Sequence, residues 1–254
     1  MPEIEPVADA SDDSYPSLPA TSWAVLGMLT FGEGLTGYDL KKWADWSIGF
    51  FYWSPSVSQI YAELKKLEAA GLAESEMVSE PGERGRRVYR ITERGTRAVR
   101  NWSRAAPVEQ PVLKHGLMLR LWMGHLNEPD ELKKLVRSHI ENMETMRERA
   151  KLHGDHANRE PAWAFSRMSL VWSERYFQAE IDLAKQVLAD IDEAAETFSS
   201  VQDRDELGNP VPQVAGSWRD VEDFVLGLEQ RGLEQGGLEQ GGLEQPGLER
   251  RERD

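Results

Sequence analysis

Apolar residues fall at helical spacing over most of this chain, and the first run to do so begins at residue 22. Ser22–Phe31 is apolar nearly all round, through Trp23, Ala24, Val25, Leu26, Met28 and Leu29. A run of that length predicts a buried helix and is too short to cross a bilayer. Gly32-Glu33-Gly34 turns the chain. Thr36 and Asp39 then offer a capping pair for a second helix with Leu40, Trp43, Ala44 and Trp46 on its inner face. A third helix is expected over 55–70, with Ser54 as N-cap, Pro55 at the first helical position and Gly71 as the left-handed residue past its end. Val57, Ile60, Leu64 and Leu67 form its apolar face, while Ser58, Gln59, Ala62, Lys65 and Lys66 lie opposite.

Beyond Gly71 the period shortens. Leu72–Ser79 reads as a weak strand, Pro81-Gly82-Glu83-Arg84-Gly85 as a turn, and Arg87–Ile91 as an alternating strand. Thr92 caps a further helix through Val99 and Trp102 to about Arg104. Helix, helix, helix, strand, loop, strand, helix is the order of a winged helix-turn-helix, in which the third helix suits the major groove and the loop is the wing. Three blocks in that order are similar to the N-terminal domain of the PadR-like family of bacterial transcriptional regulators: LGMLTFGEGLTGYDL, SPSVSQIYAELKKLEAAGL and GRRVYRITERG. Val57 and Ala62 stand where family members usually carry glycine and proline. The resemblance implies a DNA-binding transcriptional regulator, often a repressor, that dimerises through a C-terminal helical domain.

Pro107 and Pro111 bracket a linker, and three helical stretches follow. Leu113–Leu126 contains Leu117, Met118, Leu121 and Trp122; Pro129–Lys151 sets Leu132, Val136, His139, Met143 and Met146 at steps of four and three. The third, Pro161–Phe198, carries Phe177, Ile181, Ala184, Leu188, Ile191, Ala195 and Phe198 in the same rhythm. At 1.5 Å per residue it would be roughly 55 Å long, and a seam of this spacing seeks a partner helix. The expected fold is therefore mainly α: a winged helix-turn-helix domain over 21–105 and an antiparallel long-helix dimerisation domain over 106–200, the chain acting as a homodimer. Residues 1–20 read as a disordered acidic segment and 201–254 as an acidic low-complexity tail, where Gly-Leu-Glu-Gln recurs from 227, 232, 237 and 242.

Charge complicates this picture and then supports it. The 254 residues carry a net −14, which is unusual for a DNA binder. The acid is unevenly spread, however: residues 21–105 hold twelve Lys/Arg against ten Asp/Glu, a net +2, while the other three segments are all acidic. The weak basicity also admits an alternative, a winged helix that docks on a protein rather than on DNA. There is no cysteine, no signal peptide at the N-terminus and no bilayer-length apolar run, so a cytoplasmic protein is expected.

Candidate chemistry gathers on the third helix and the wing. Ser56, Ser58, Gln59, Tyr61, Lys65 and Lys66 are placed to meet bases or phosphates, and Arg84, Arg86 and Arg87 to follow the backbone. Trp122 and Trp172, beside the expected seam, suggest stacking of a small aromatic effector, with core packing as the plainer role. His153-Gly154-Asp155-His156 reads as an exposed turn that ends a helix, without the full ligand set of a metal site. No cofactor is called for, and the phosphate loop, GxSxG and HExxH motifs are missing, so an enzyme is not expected.

Overall fold

Four helices and a two-stranded sheet close around one core in the first half of the chain. They are α1 (Ala20–Met28), α2 (Gly37–Trp46), α3 (Val57–Ala69), β1 (Ala73–Val78), β2 (Arg86–Ile91) and α4 (Glu93–Ala105). Then come α5 (Gly116–Trp122), α6 (Pro129–Ala157) and α7 (Ala164–Ser199). The structure is a computed structural model that describes residues 14–79 and 85–214 and a few positions up to 227. It divides into two compact units between Asp192 and Glu193, inside α7. The order of elements is the winged helix-turn-helix expected from the sequence.

Val25, Leu26, Leu40, Ala44, Ile60, Leu64 and Leu67 are fully enclosed and form the centre of that core. Burying a Leu or Ile side chain is worth about 1.5–3 kcal/mol, so these positions hold α1, α2 and α3 together. Trp23 stacks on Trp102 with ring centroids 4.9 Å apart, pinning α4 across α1. Thr36 and Asp39 close the expected capping box on α2, Thr92 Oγ1 accepts from the Gly95 N–H at the start of α4, and Gly71 ends α3 with φ 67°. In the wing, β1 and β2 pair antiparallel from Ala73↔Ile91 to Val78↔Arg86. Leu35 adds a bridge to Tyr89, with backbone bonds of 3.0 and 2.8 Å.

Several positions differ from expectation. The N-cap of α3 is Ser56, not Ser54: Ser54 instead donates to Asp45 at 2.5 Å and accepts from Lys41 at 3.1 Å, and Pro55 is buried ahead of the helix. The buried arc of α3 is turned toward Glu63, so Val57 is 40% exposed and Glu63 takes the inner place beside Ser22 of α1. Trp46 is half exposed and lies flat over His153, centroids 6.4 Å apart. The motif at 153–156 is no turn, because α6 runs on to Ala157. Gly154 does not end it: it is buried against Leu170, and packing against α7 outweighs glycine's weak helix propensity.

The α7 stripe packs inside the chain. Phe177 joins Ala150, Ala157, Leu170 and Phe50 in one cluster, and Ala184 and Ile191 join Leu132 and Val136 of α6 in another, flanked by Leu188 and by Leu117 and Leu121 of α5. Phe50, in the 3-10 turn after α2, thereby plugs the winged helix onto α6 and α7, with the Arg149 guanidinium 5.7 Å from its ring centre. In the second unit Ala195 is half-buried and Phe198 lies under Arg204, 4.9 Å from its ring centre. Asp205 accepts backbone bonds from Leu207 and Asn209 to form the following turn. The Gly-Leu-Glu-Gln repeats lie outside the described residues.

A Cβ added to Gly154 would meet Leu170 Cβ at 3.7 Å, an ordinary contact. Gly154→Ala is therefore expected to stabilise the chain by about 0.5–1 kcal/mol, through helix propensity and the lost freedom of the unfolded glycine. Thermal unfolding measures it, and a lowered midpoint would show that α6 and α7 need the smaller residue.

Candidate nucleic-acid interface

The exposed end of α3 is built by its cap. Ser56 Oγ accepts from the Gln59 N–H at 3.3 Å, while the Ser56 N–H donates to Gln59 Oε1 at 2.8 Å. Ser56 and Ser58 hydroxyls lie 3.0 Å apart. All three side chains are exposed. The reciprocal cap occupies the Gln59 carbonyl and leaves its amide N–H groups to donate, next to the free backbone amides of the first turn. Such a terminus carries partial positive charge and suits a phosphate or another anion.

Further along, Tyr61 lies with its ring against the start of α2. A Cβ on Gly37 would sit 2.6 Å from the Tyr61 ring, so this close approach depends on glycine. Lys65 is exposed, and Lys66, 64% exposed, reaches back to Glu63 at 2.7 Å. Glu63 is almost completely buried and also accepts from Ser22 Oγ. Burial pushes its carboxyl up, but the hydrogen bonds from Lys66 and Ser22 pull it down further, and the net position is below the ordinary value. On the wing, Arg86 and Arg87 are exposed opposite Val78 and Met77. Arg90 is tied across the strands to Glu76 at 3.4 Å. Arg84 lies outside the described residues. On α2, Lys42 sits 4.4 Å from the centre of the exposed Tyr38 ring, a pair that helical periodicity alone did not single out because both residues lie on the polar face.

The two tryptophans set aside for an effector are on different helices. Trp122 of α5 is 81% exposed, and Trp172 of α7 stacks on Tyr176 with centroids 5.5 Å apart. Trp172 and Tyr176 belong to a second apolar line on α7 that the sequence reading missed: Phe165, Met168, Trp172, Tyr176 and Leu183, all exposed. Steps of three, four, four and seven put them on one face, away from the buried stripe. The signal was present in the spacing, but the stronger heptad beside it masked it.

A helix-turn-helix with a capped, outward third helix and a basic wing beside it is an arrangement that suits a DNA groove. Residues 25–101 match the model of the Transcriptional regulator PadR-like family. Over that stretch the chain is similar to members of the family. It is 34% identical over 101 residues to the negative transcriptional regulator PadR of Bacillus subtilis strain 168, an alignment covering 39% of this chain and 54% of the relative. The chain thus spans about half the length of the curated relative it matches. The crystal structure of Bacillus subtilis PadR with operator DNA superposes with a TM-score of 0.59 at 21% identity, over 68% of this chain and 99% of that one. The same protein with p-coumaric acid gives 0.54 at 21%, again over 68% and 99%. At that identity the likeness speaks for the fold alone, and at 68% of the chain it reaches beyond the winged helix.

Because the folded Glu63 carboxyl lies below its ordinary value of 4.5, its stabilising contribution is complete above that pH and is lost as pH falls through the lower folded value. Glu63→Gln is expected to flatten this acid limb of the stability curve. Denaturant titrations from pH 7 down to about 3 test it; an unchanged acid limb would remove Glu63 from the account.

Proposed function

We propose that this PadR-like chain is a sequence-specific DNA-binding transcriptional regulator, acting as a homodimeric repressor on a palindromic operator. The carrying observation is the outward face of α3, with Ser56, Ser58, Gln59, Tyr61, Lys65 and Lys66, in a fold whose wing exposes Arg86 and Arg87. The net +2 of residues 21–105 in a chain of net −14 supports it, because salt confines each charge to its own neighbourhood, within roughly 8–10 Å. In a dimer the two α3 helices would enter major grooves about 34–36 Å apart. The domains follow the same reading, 21–105 binding DNA and 106–200 joining the copies, with a soluble cytoplasmic location.

A dimer is supported by the exposed α7 line of Phe165, Met168, Trp172, Tyr176 and Leu183, since contiguous exposed apolar surface marks interfaces. The Phe177–Ile191 stripe serves it from beneath by holding α7 on α6. Phe50 supplies the path by which a change in α6 or α7 reaches the DNA-binding half. A small aromatic effector near Trp122 or Trp172 fits this arrangement, as the p-coumaric acid complex of the Bacillus subtilis relative suggests.

Mobility-shift assays with DNA from upstream of the gene are expected to show specific binding that weakens log-linearly with salt. Arg86→Ala and Lys65→Ala would each reduce the salt slope by about 1. A free hydroxycinnamic acid in the same assay would release the DNA. Absence of binding at low salt by a folded dimer would favour the protein-docking alternative.

Sedimentation of Leu183→Asp and Phe165→Asp should give monomers where the parent gives dimers. Dimers that persist in the folded double variant would place the interface elsewhere.

A further inference from the structure

Three side chains distant in sequence meet where α5 begins. His115 Nε2 lies 2.6 Å, and His139 Nε2 2.9 Å, from the same Glu180 Oε1. The first caps α5, the second is on α6 and the third on α7. Their side chains are only 16%, 20% and 13% exposed, and the two imidazoles are 5.3 Å apart. One ligand atom from each lies within 4.8 Å of the other two. We propose that His115, His139 and Glu180 bind a divalent transition-metal ion of the zinc class, and that loading releases the N-cap of α5.

The donor set selects the ion. Two imidazole nitrogens and one carboxylate oxygen suit zinc and its first-row neighbours, whereas calcium and magnesium take oxygen shells. Three protein ligands leave a fourth tetrahedral position for water or an exchangeable ligand, as in open rather than purely structural sites. With metal–ligand bonds of about 2.0–2.2 Å, tetrahedral ligands stand roughly 3.3 Å apart. The present hydrogen-bonded spacings open to that by small side-chain rotations. The site lies away from His153 and His156, which sit on α6 alone.

The coupling to α5 follows from the His115 tautomer. The Met118 N–H donates to His115 Nδ1 at 3.2 Å, so without metal the neutral ring carries its single proton on Nε2 and donates it to Glu180. A metal ion requires the Nε2 lone pair. On loading, that proton passes through solvent to Nδ1; the ring stays neutral, Glu180 stays a carboxylate, and no proton is gained or lost at this residue. The new Nδ1–H then faces the Met118 N–H, donor against donor, and the cap opens. His139 Nε2 also donates to Glu180 in the metal-free chain, so on loading its proton likewise passes through solvent to Nδ1 and leaves the Nε2 lone pair for the ion. Metal occupancy and the α5 cap therefore exclude one another, which links the ion to the start of the helical region. This site stands independently of DNA recognition.

The full chain, stripped with a chelator, is titrated with zinc by calorimetry and with cobalt(II) by visible absorption. One ion per chain and a tetrahedral cobalt spectrum are expected. His139→Gln, Glu180→Gln and His115→Asn should each weaken zinc binding at least tenfold, with His156→Ala unchanged. The Asn side chain at 115 keeps an oxygen that can cap α5, so that variant separates loss of a ligand from loss of the helix. Long-range proton–nitrogen NMR should find the His115 proton on Nε2 in the stripped chain and on Nδ1 with zinc. No uptake by the parent chain, or parent-like affinity in His139→Gln with intact circular dichroism, would leave the cluster a plain His–Glu–His tie. If the glutamine variants lose helicity, His115→Asn and the tautomer decide.

Discussion

Ile60, Leu64 and Leu67 are buried completely, and everything α3 presents to solvent depends on that one-sided burial. Three large side chains on one face of a 13-residue helix set its rotation against α1 and α2. The side chains opposite them have no choice of direction. Glu63 reinforces the setting as a buried carboxylate that bonds Ser22 on one side and Lys66 on the other. A buried acid without such partners would cost far more than its place in the core returns. The polar display of α3 is thus a consequence of core packing.

Phe50 extends the same constraint to the rest of the first unit. Its ring sits with Ala150, Leu170 and Phe177, and Trp46 lies over His153 nearby. Burial lowers the affinity of His153 for a proton, and the neighbouring Arg149 and His156 lower it further, so the neutral ring is favoured under Trp46. Three aromatic contacts and one cation over a ring hold the winged helix on α6 and α7. A tight plug of this kind fixes the winged helix against α6 and α7 more closely than a polar linker alone, since packed interiors have little room to slip.

How legible all this was varies with the physics at each position. The capping box at Thr36, the caps at Thr92 and Gly71, the strand over Arg87–Ile91 and the length of α7 were readable, because each depends on neighbours within a few residues. Ser54 was a reasonable cap by the same local rules, and lost to Ser56 because Asp45 and Lys41, from α2, claim its hydroxyl. Gly154 looked like a helix end, and packing against Leu170 carried the helix through it. Of the proposed DNA-facing residues, the structure describes eight of nine; Gln59 proves to be partly occupied by capping and Tyr61 partly by α2, neither of which spacing alone reveals.

The order of elements and most of each inner face were determined by the sequence alone, because helical and strand periods are local properties of side-chain spacing; the turn of α3 that exposes Val57 and buries Glu63 was not. Which helix each face meets was decided by the tertiary structure. The α7 heptad illustrates the difference: its period demanded an apolar partner, and both α6 of the same chain and a helix of a second copy satisfy that demand equally in one dimension. Only the fold shows α6 taking the stripe, with a second apolar line left outside. The same holds for His115, His139 and Glu180, whose separation along the chain carries no sign of their meeting. Convergence of distant side chains is set by how helices cross, and no local spacing encodes it.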